Sequence, residues 1–164
     1  MTKDYYRVSG STAREIRNDL DRKTPVNEKG KKYDAYTTWL VHWKYHWNAS
    51  EDQCRITQVS TTVDVQYILP KLKRSAPLPK ALVNKWERYL RALLQHENGH
   101  KDIGVRAANE IEEKIRNMKP RRTCQQLELD ANRLGHKVLD KYLIIEDEFD
   151  RTTNHGGNDG AIFP

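Results

Sequence analysis

The chain has 164 residues, enough for one domain with a proper core and too few to expect two. Charged residues reach 32%, yet four Trp and eight Tyr give it more to bury than a disordered segment has, and no window approaches the length and apolarity of a membrane span. The net charge of +6 admits an acidic partner such as nucleic acid, anionic glycan or a lipid surface, although a soluble basic surface is the simpler reading.

Tyr5 to Gly10 reads as a short strand ending at a glycine turn. Ser11 or Thr12 then caps a helix, with Glu15 as capping-box partner of Thr12 and Ile16 and Leu20 facing inward. Asp21 to Lys32, carrying Pro25, Asn27 and Gly30, reads as a loop. From Tyr33 the period switches to two. Trp39, Val41, Trp43, Tyr45 and Trp47 alternate with more polar residues, the pattern of a long strand whose aromatic face belongs to the core. His42 and His46 fall on its other face and read as exposed or hydrogen-bonded histidines. After a turn at Asn48 to Asp52, Cys54 to Leu69 forms a meander partner, ended by Pro70. Lys71 to Pro77 is a basic connector. Cys54 and Cys124 are either two buried thiols or one disulfide.

Pro79 opens the next helix. Leu82, Trp86, Tyr89 or Leu90, Leu93, His96 or Glu97, His100, Ile103, Ala107, Ile111 and Ile115 recur every three or four residues, which keeps one apolar stripe continuous as far as Met118, with Gly99 or Gly104 as a point of bending. Thr123 caps a last helix, with Leu127, Ala131, Leu134, Val138, Tyr142 and Ile145 on one face and His136 on the opposite one. Glu146 to Asp150 reads as an acidic tail and Thr152 to Gly160 as a loop.

Within the long helix, His96-Glu97-Asn98-Gly99-His100 is the zincin pattern His-Glu-x-x-His (HExxH). Residues four apart lie one above the other on a helix, so both imidazoles reach one zinc ion, and Glu97 stands beside the water as general base. Three fixed positions are few; what adds weight is that both histidines fall on the apolar stripe, facing the interior. A catalytic zinc takes a third protein ligand. The elongated form of the motif is absent, since Ile103 and Arg106 stand where Gly and His would. Glu128 or Asp130 from the following helix are candidates, and His155, in a glycine-flanked loop able to fold back over the cleft, is the better one.

These residues resemble a family of bacterial proteins described as predicted secreted zinc-dependent proteases, long classed as a domain of unknown function. The similarity covers nearly the whole chain: Tyr5-Tyr6 and Gly10, the Trp39 to Trp47 strand, Cys54, Leu69-Pro70, Trp86 and Tyr89 ahead of the motif, and the closing Asp150 to Pro164 with Thr153, His155-Gly156 and Gly160-Ala161. The resemblance implies an exported zincin-like metallopeptidase with Cys54 and Cys124 bridged, and it favours His155 as functional.

The expectation is therefore a single α+β zincin-like domain over residues 1–164, an antiparallel sheet packed on the long HExxH helix with further helices beside it. Zinc is held by His96, His100 and His155, Glu97 is catalytic, and the substrate is a peptide or protein, with the exposed sheet edge open to an extended chain. For the oxyanion, Tyr142 and the tyrosines of the first strands are available. The alternative is a non-catalytic zinc-binding module, or a basic one that binds glycan or nucleic acid through Lys71 to Arg74 and Lys119 to Arg122. The expected location is secreted or periplasmic, with the leader absent from this chain, or else cytoplasmic.

Overall fold

A computed structural model describes residues 1–28, 30–73 and 77–164. In chain order the elements are β1 (Thr2–Val8), α1 (Ala13–Lys23), β2 (Asn27–Glu28), β3 (Lys31–Lys32), β4 (Tyr36–Ala49), β5 (Cys54–Leu72), α2 (Lys80–Arg116) and α3 (Cys124–Thr153), followed by a 3-10 turn at Gly157–Asp159. This is an α+β chain, and among the described residues no helix is long and apolar enough to cross a membrane.

The sheet is mixed rather than antiparallel. Its order is β1-β5-β4, and β1 pairs with β5 in parallel, from Thr2 opposite Gln66 to Val8 opposite Leu72. Alternation along a strand fixes its faces but not the direction of its neighbour. The long connection through α1 supplies the crossover that parallel pairing needs, whereas the short turn from Ser50 to Gln53 makes β4 and β5 a hairpin. Nor does β5 stop at Pro70. The register carries on through Tyr6 opposite Pro70 to Leu72, so the basic connector starts later, and its residues 74–76, Arg74 among them, lie outside the described residues. The loop expected before Tyr33 contains the small hairpin β2–β3, closed over Gly30 at φ 83°.

Contacts divide the chain into two compact units. The first comprises residues 1–38, 65–101 and 149–164. In it α1 lies on β1, burying Ile16 and Leu20. Thr12 caps α1 through Glu15 N–H, and the Glu15 carboxylate returns to Ser11 N–H (2.7 Å), one residue ahead of the expected partner. Asp19 is buried beneath this helix, accepting from Ser9 N–H (2.8 Å) and paired with Lys23 (2.8 Å) and Arg22. The first turns of α2, opened by the Pro79 carbonyl accepting from Leu82 and Val83, bury Trp86, Tyr89 and Leu93. Phe163 folds back against Trp86 and Tyr89, with ring centroids 5.5 and 5.2 Å away.

The second unit comprises residues 39–64 and 102–148. The indoles of the aromatic strand pack into notches left by two glycines: a Cβ on Gly104 would meet Trp39 Cγ at 2.6 Å, and one on Gly135 would meet Trp43 Cζ2 at 2.7 Å. Each indole N–H is also satisfied, by Glu146 (2.9 Å) and by Asn132 (3.2 Å). Gly104 is thus a packing position inside a continuous helix. His42 is exposed and bonded to Asp64 (3.1 Å), and His136 is an exposed residue with its ring edge-on to Trp43. Cys54 and Cys124 form a disulfide across a separation of 70 residues. Closing a loop of that length stabilises by about 4 kcal/mol in the chain-entropy model. Replacing both cysteines by alanine is therefore expected to lower Tm by roughly 8–16 °C in a chain of this size. A thermal melt checks this, and an unchanged Tm would show that the bridge adds nothing.

Candidate metal centre

The α2 stripe brings the motif to the interior of the first unit. His96, Glu97 and His100 are 6%, 4% and 6% exposed, an unusual density of polar groups for a buried surface. What receives them is the end of α3. Among the described residues, one group of three potential metal donors has its atoms within 4.8 Å of one another: His96, His100 and Asp150. His96 Nε2 and His100 Nε2 stand 3.2 Å apart, and Asp150 Oδ1 is 3.1 Å from each.

Such a triangle fits a metal ion better than it fits hydrogen bonding. Tetrahedral donors about 2.0–2.1 Å from zinc lie about 3.3–3.4 Å apart, close to the three observed edges. Without a cation no placement of protons satisfies all three edges: with both ring nitrogens protonated they face each other across 3.2 Å, and with one protonated the other's lone pair faces the carboxylate oxygen. The surroundings also favour a lone pair at His96 Nε2. Thr153 gives its only proton to the Phe149 carbonyl (2.7 Å), so its contact with His96 Nδ1 (3.5 Å) has the ring nitrogen as donor. A neutral imidazole protonated at Nδ1 presents Nε2 as a ligand. Burial acts to raise the Asp150 pKa, but its contacts with His100 and His96 outweigh that and hold the carboxyl well below the usual carboxylate range. The donor set, two imidazoles and an ionised carboxylate, suits zinc.

Gly99 is what allows α3 so close. A Cβ there would lie 2.4 Å from Phe149 Cζ, and the Phe149 ring stacks on His96 (4.9 Å, 9°) and meets His100 edge-on (5.1 Å, 85°). Gly99→Ala gains up to about 1 kcal/mol of helix propensity but overpacks the contact at a cost of about 1–3 kcal/mol. We expect a net loss of stability and, since Phe149 adjoins Asp150, weaker metal binding. A thermal melt and a zinc competition titration read the two effects.

Glu97 stands beside the triangle in the same cavity, of about 340 Å³, which Tyr33, Tyr36, Leu93 and Ile162 also line. Its Oε2 accepts the buried Thr37 hydroxyl at 2.6 Å. Burial pushes its pKa up, and Thr37 and the two histidines only partly oppose this.

His155 is outside the group of three donors. Its Nδ1 is 3.4 Å from Asp150 Oδ2 and its Nε2 3.2 Å from the Tyr33 hydroxyl. It follows Asn154, and the two have φ of 50° and 52°, a left-handed backbone that costs a residue such as histidine roughly 1–2 kcal/mol. The turn is a helix C-cap in which His155 N–H bonds to the Asp150 carbonyl (2.9 Å). Glu128 and Asp130 belong to the second unit, where Asp130 pairs with Arg121 (2.7 Å). Tyr142 is in that unit too, buried beneath Arg106 and Lys141. Asp150 and Thr37 are the site residues that sequence reasoning did not single out.

No curated protein and no solved structure matches the chain. The family described as bacterial protein of unknown function (DUF922) matches it over residues 3–156, all but its two ends, and the chain belongs to that family.

Proposed function

We propose that this protein is a zincin-like, zinc-dependent metallopeptidase in which His96, His100 and Asp150 hold the metal and Glu97 is the general base. The observation that carries the reading is the triangle of two imidazole nitrogens and one carboxylate oxygen, with edges of 3.1, 3.1 and 3.2 Å, beside a buried glutamate in an open cavity. Asp150 is favoured over His155 as third donor because its Oδ1 faces both imidazoles, whereas both His155 nitrogens already have partners.

Zinc held by these residues supplies a Lewis acid that brings the pKa of a water towards 7 and polarises a carbonyl. The chain's own groups do the rest. Glu97, its Oε2 tied to Thr37, has Oε1 left to take a proton from the attacking water and return it to the leaving amine. A carboxyl pushed up by burial is better matched to that task near neutral pH than an exposed one. Thr153 and Phe149 keep the His96 ring in the plane that aims Nε2 at the triangle. The disulfide supports a setting outside the reducing cytoplasm.

Metal analysis of the purified protein and hydrolysis of denatured casein test the reading. Zinc is expected, with casein cleavage lost on treatment with 1,10-phenanthroline and restored by added zinc. Protein without zinc affinity, or zinc-loaded protein that leaves casein intact, would reject it. The second outcome would leave a non-catalytic zinc module.

A further inference from the structure

Beyond the three donors and Glu97, the same cavity is lined by Tyr33 and His155. His155 is held on both sides, Nδ1 against Asp150 Oδ2 (3.4 Å) and Nε2 against the Tyr33 hydroxyl (3.2 Å), and the two rings pack with centroids 4.3 Å apart. A proton on His155 Nδ1 would face the Asp150 carboxylate, which as an anion only accepts. In the neutral ring Nε2 then accepts the Tyr33 O–H. That phenol proton rests on a neighbouring nitrogen and is free to turn to a stronger acceptor entering the cavity.

We propose, on the basis of the metallopeptidase reading, that Tyr33 donates a hydrogen bond to the substrate carbonyl oxygen as that oxygen gains negative charge. His155 is then a positioning residue that steadies Tyr33 while itself anchored on Asp150. Two further observations point the same way. His155 is held at φ 50°, a strained backbone of the kind that persists where a side chain must be aimed. The Tyr33 ring is fixed from two sides, by His155 and by Lys31 Nζ, 5.3 Å from its centroid. A placed donor strengthens most when the oxygen becomes an anion, so this contact favours the transition state over the bound peptide.

The test begins by mapping a casein cleavage site by mass spectrometry and preparing the hexapeptide that spans it together with its phosphinic analogue. Tyr33→Phe is expected to keep its zinc and to lose roughly 10²–10³-fold in kcat with KM little changed. Its affinity for the phosphinic analogue falls by a similar factor, while acetohydroxamate, which lacks the tetrahedral oxyanion, binds as to the wild type. His155→Gln gives a weaker version of the same pattern, zinc retained. Zinc loss from His155→Gln overturns the proposal, because the residue would then be a ligand. So does wild-type kcat in Tyr33→Phe beside an active parent, which leaves the metallopeptidase reading intact. Wild-type protein that cleaves no casein removes both.

Discussion

Asp150→Asn is expected to weaken zinc binding by more than about 100-fold, beyond the 10- to 100-fold that loss of an outer-shell partner costs. The substitution preserves shape, so α3 and its C-cap remain, and the His155 N–H to Asp150 carbonyl bond is a backbone one. What changes is the charge. Asp150 Oδ1 is the one anionic corner of the triangle, facing His96 Nε2 and His100 Nε2 at 3.1 Å, and a carboxamide offers a neutral oxygen or an N–H in its place. Competition against a chelator of known zinc affinity measures the effect, with a thermal melt of the metal-free protein as control for folding. The informative comparison is His155→Gln, whose zinc affinity should fall far less. The reverse order, zinc kept in Asp150→Asn and lost in His155→Gln, would make His155 the ligand.

Asp150 is also the clearest case of what the sequence conceals. The α2 stripe is legible because Leu82, Trp86, Leu93, Ile103 and Ile111 are apolar, and all are buried. The aromatic strand is legible at period two, but its face leaves the core towards its end: Val41 is buried, Trp39, Trp43 and Tyr45 are half-buried, and Trp47 is exposed. Hydropathy fails on α3 after Ile145, where the inward face turns charged and the run Glu146 to Asp150 resembles a solvated tail. Yet the helix runs to Thr153. Counting on from Tyr142 by helical steps reaches Glu146, Phe149, Asp150 and Thr153, and these meet Trp39, Gly99, the two histidines and His96. Asn154, able to take a left-handed φ just past the last turn, is the sequence sign that the helix ends there and not earlier. Thr37 gives no such sign. It lies 60 residues from Glu97, and only tertiary pairing brings a strand threonine to a helix glutamate. The parallel placement of β1 is hidden likewise, because alternation carries no direction.

Glu97→Gln is expected to keep zinc and to lower casein hydrolysis by about 10²–10⁴-fold, the range associated with removal of a general base. Two features make the substitution clean. Glu97 is outside the donor triangle, so the metal keeps all three partners. The Thr37 hydroxyl that donates to Oε2 at 2.6 Å finds an acceptor of the same geometry in the glutamine carbonyl, so the side chain stays where it is. The amide keeps the shape of the side chain, but it can neither take up a proton nor carry the carboxylate's charge. Glu97→Ala would also open a cavity beside His96 and His100, confusing a lost base with a loosened metal site. Thr37→Val offers the complementary measurement. It removes the hydrogen bond that favours the ionised carboxylate, leaving burial less opposed, and should cost activity less than Glu97→Gln while leaving zinc in place. Equal hydrolysis by wild type and Glu97→Gln would mean that the base lies elsewhere, however well the two histidines hold the metal.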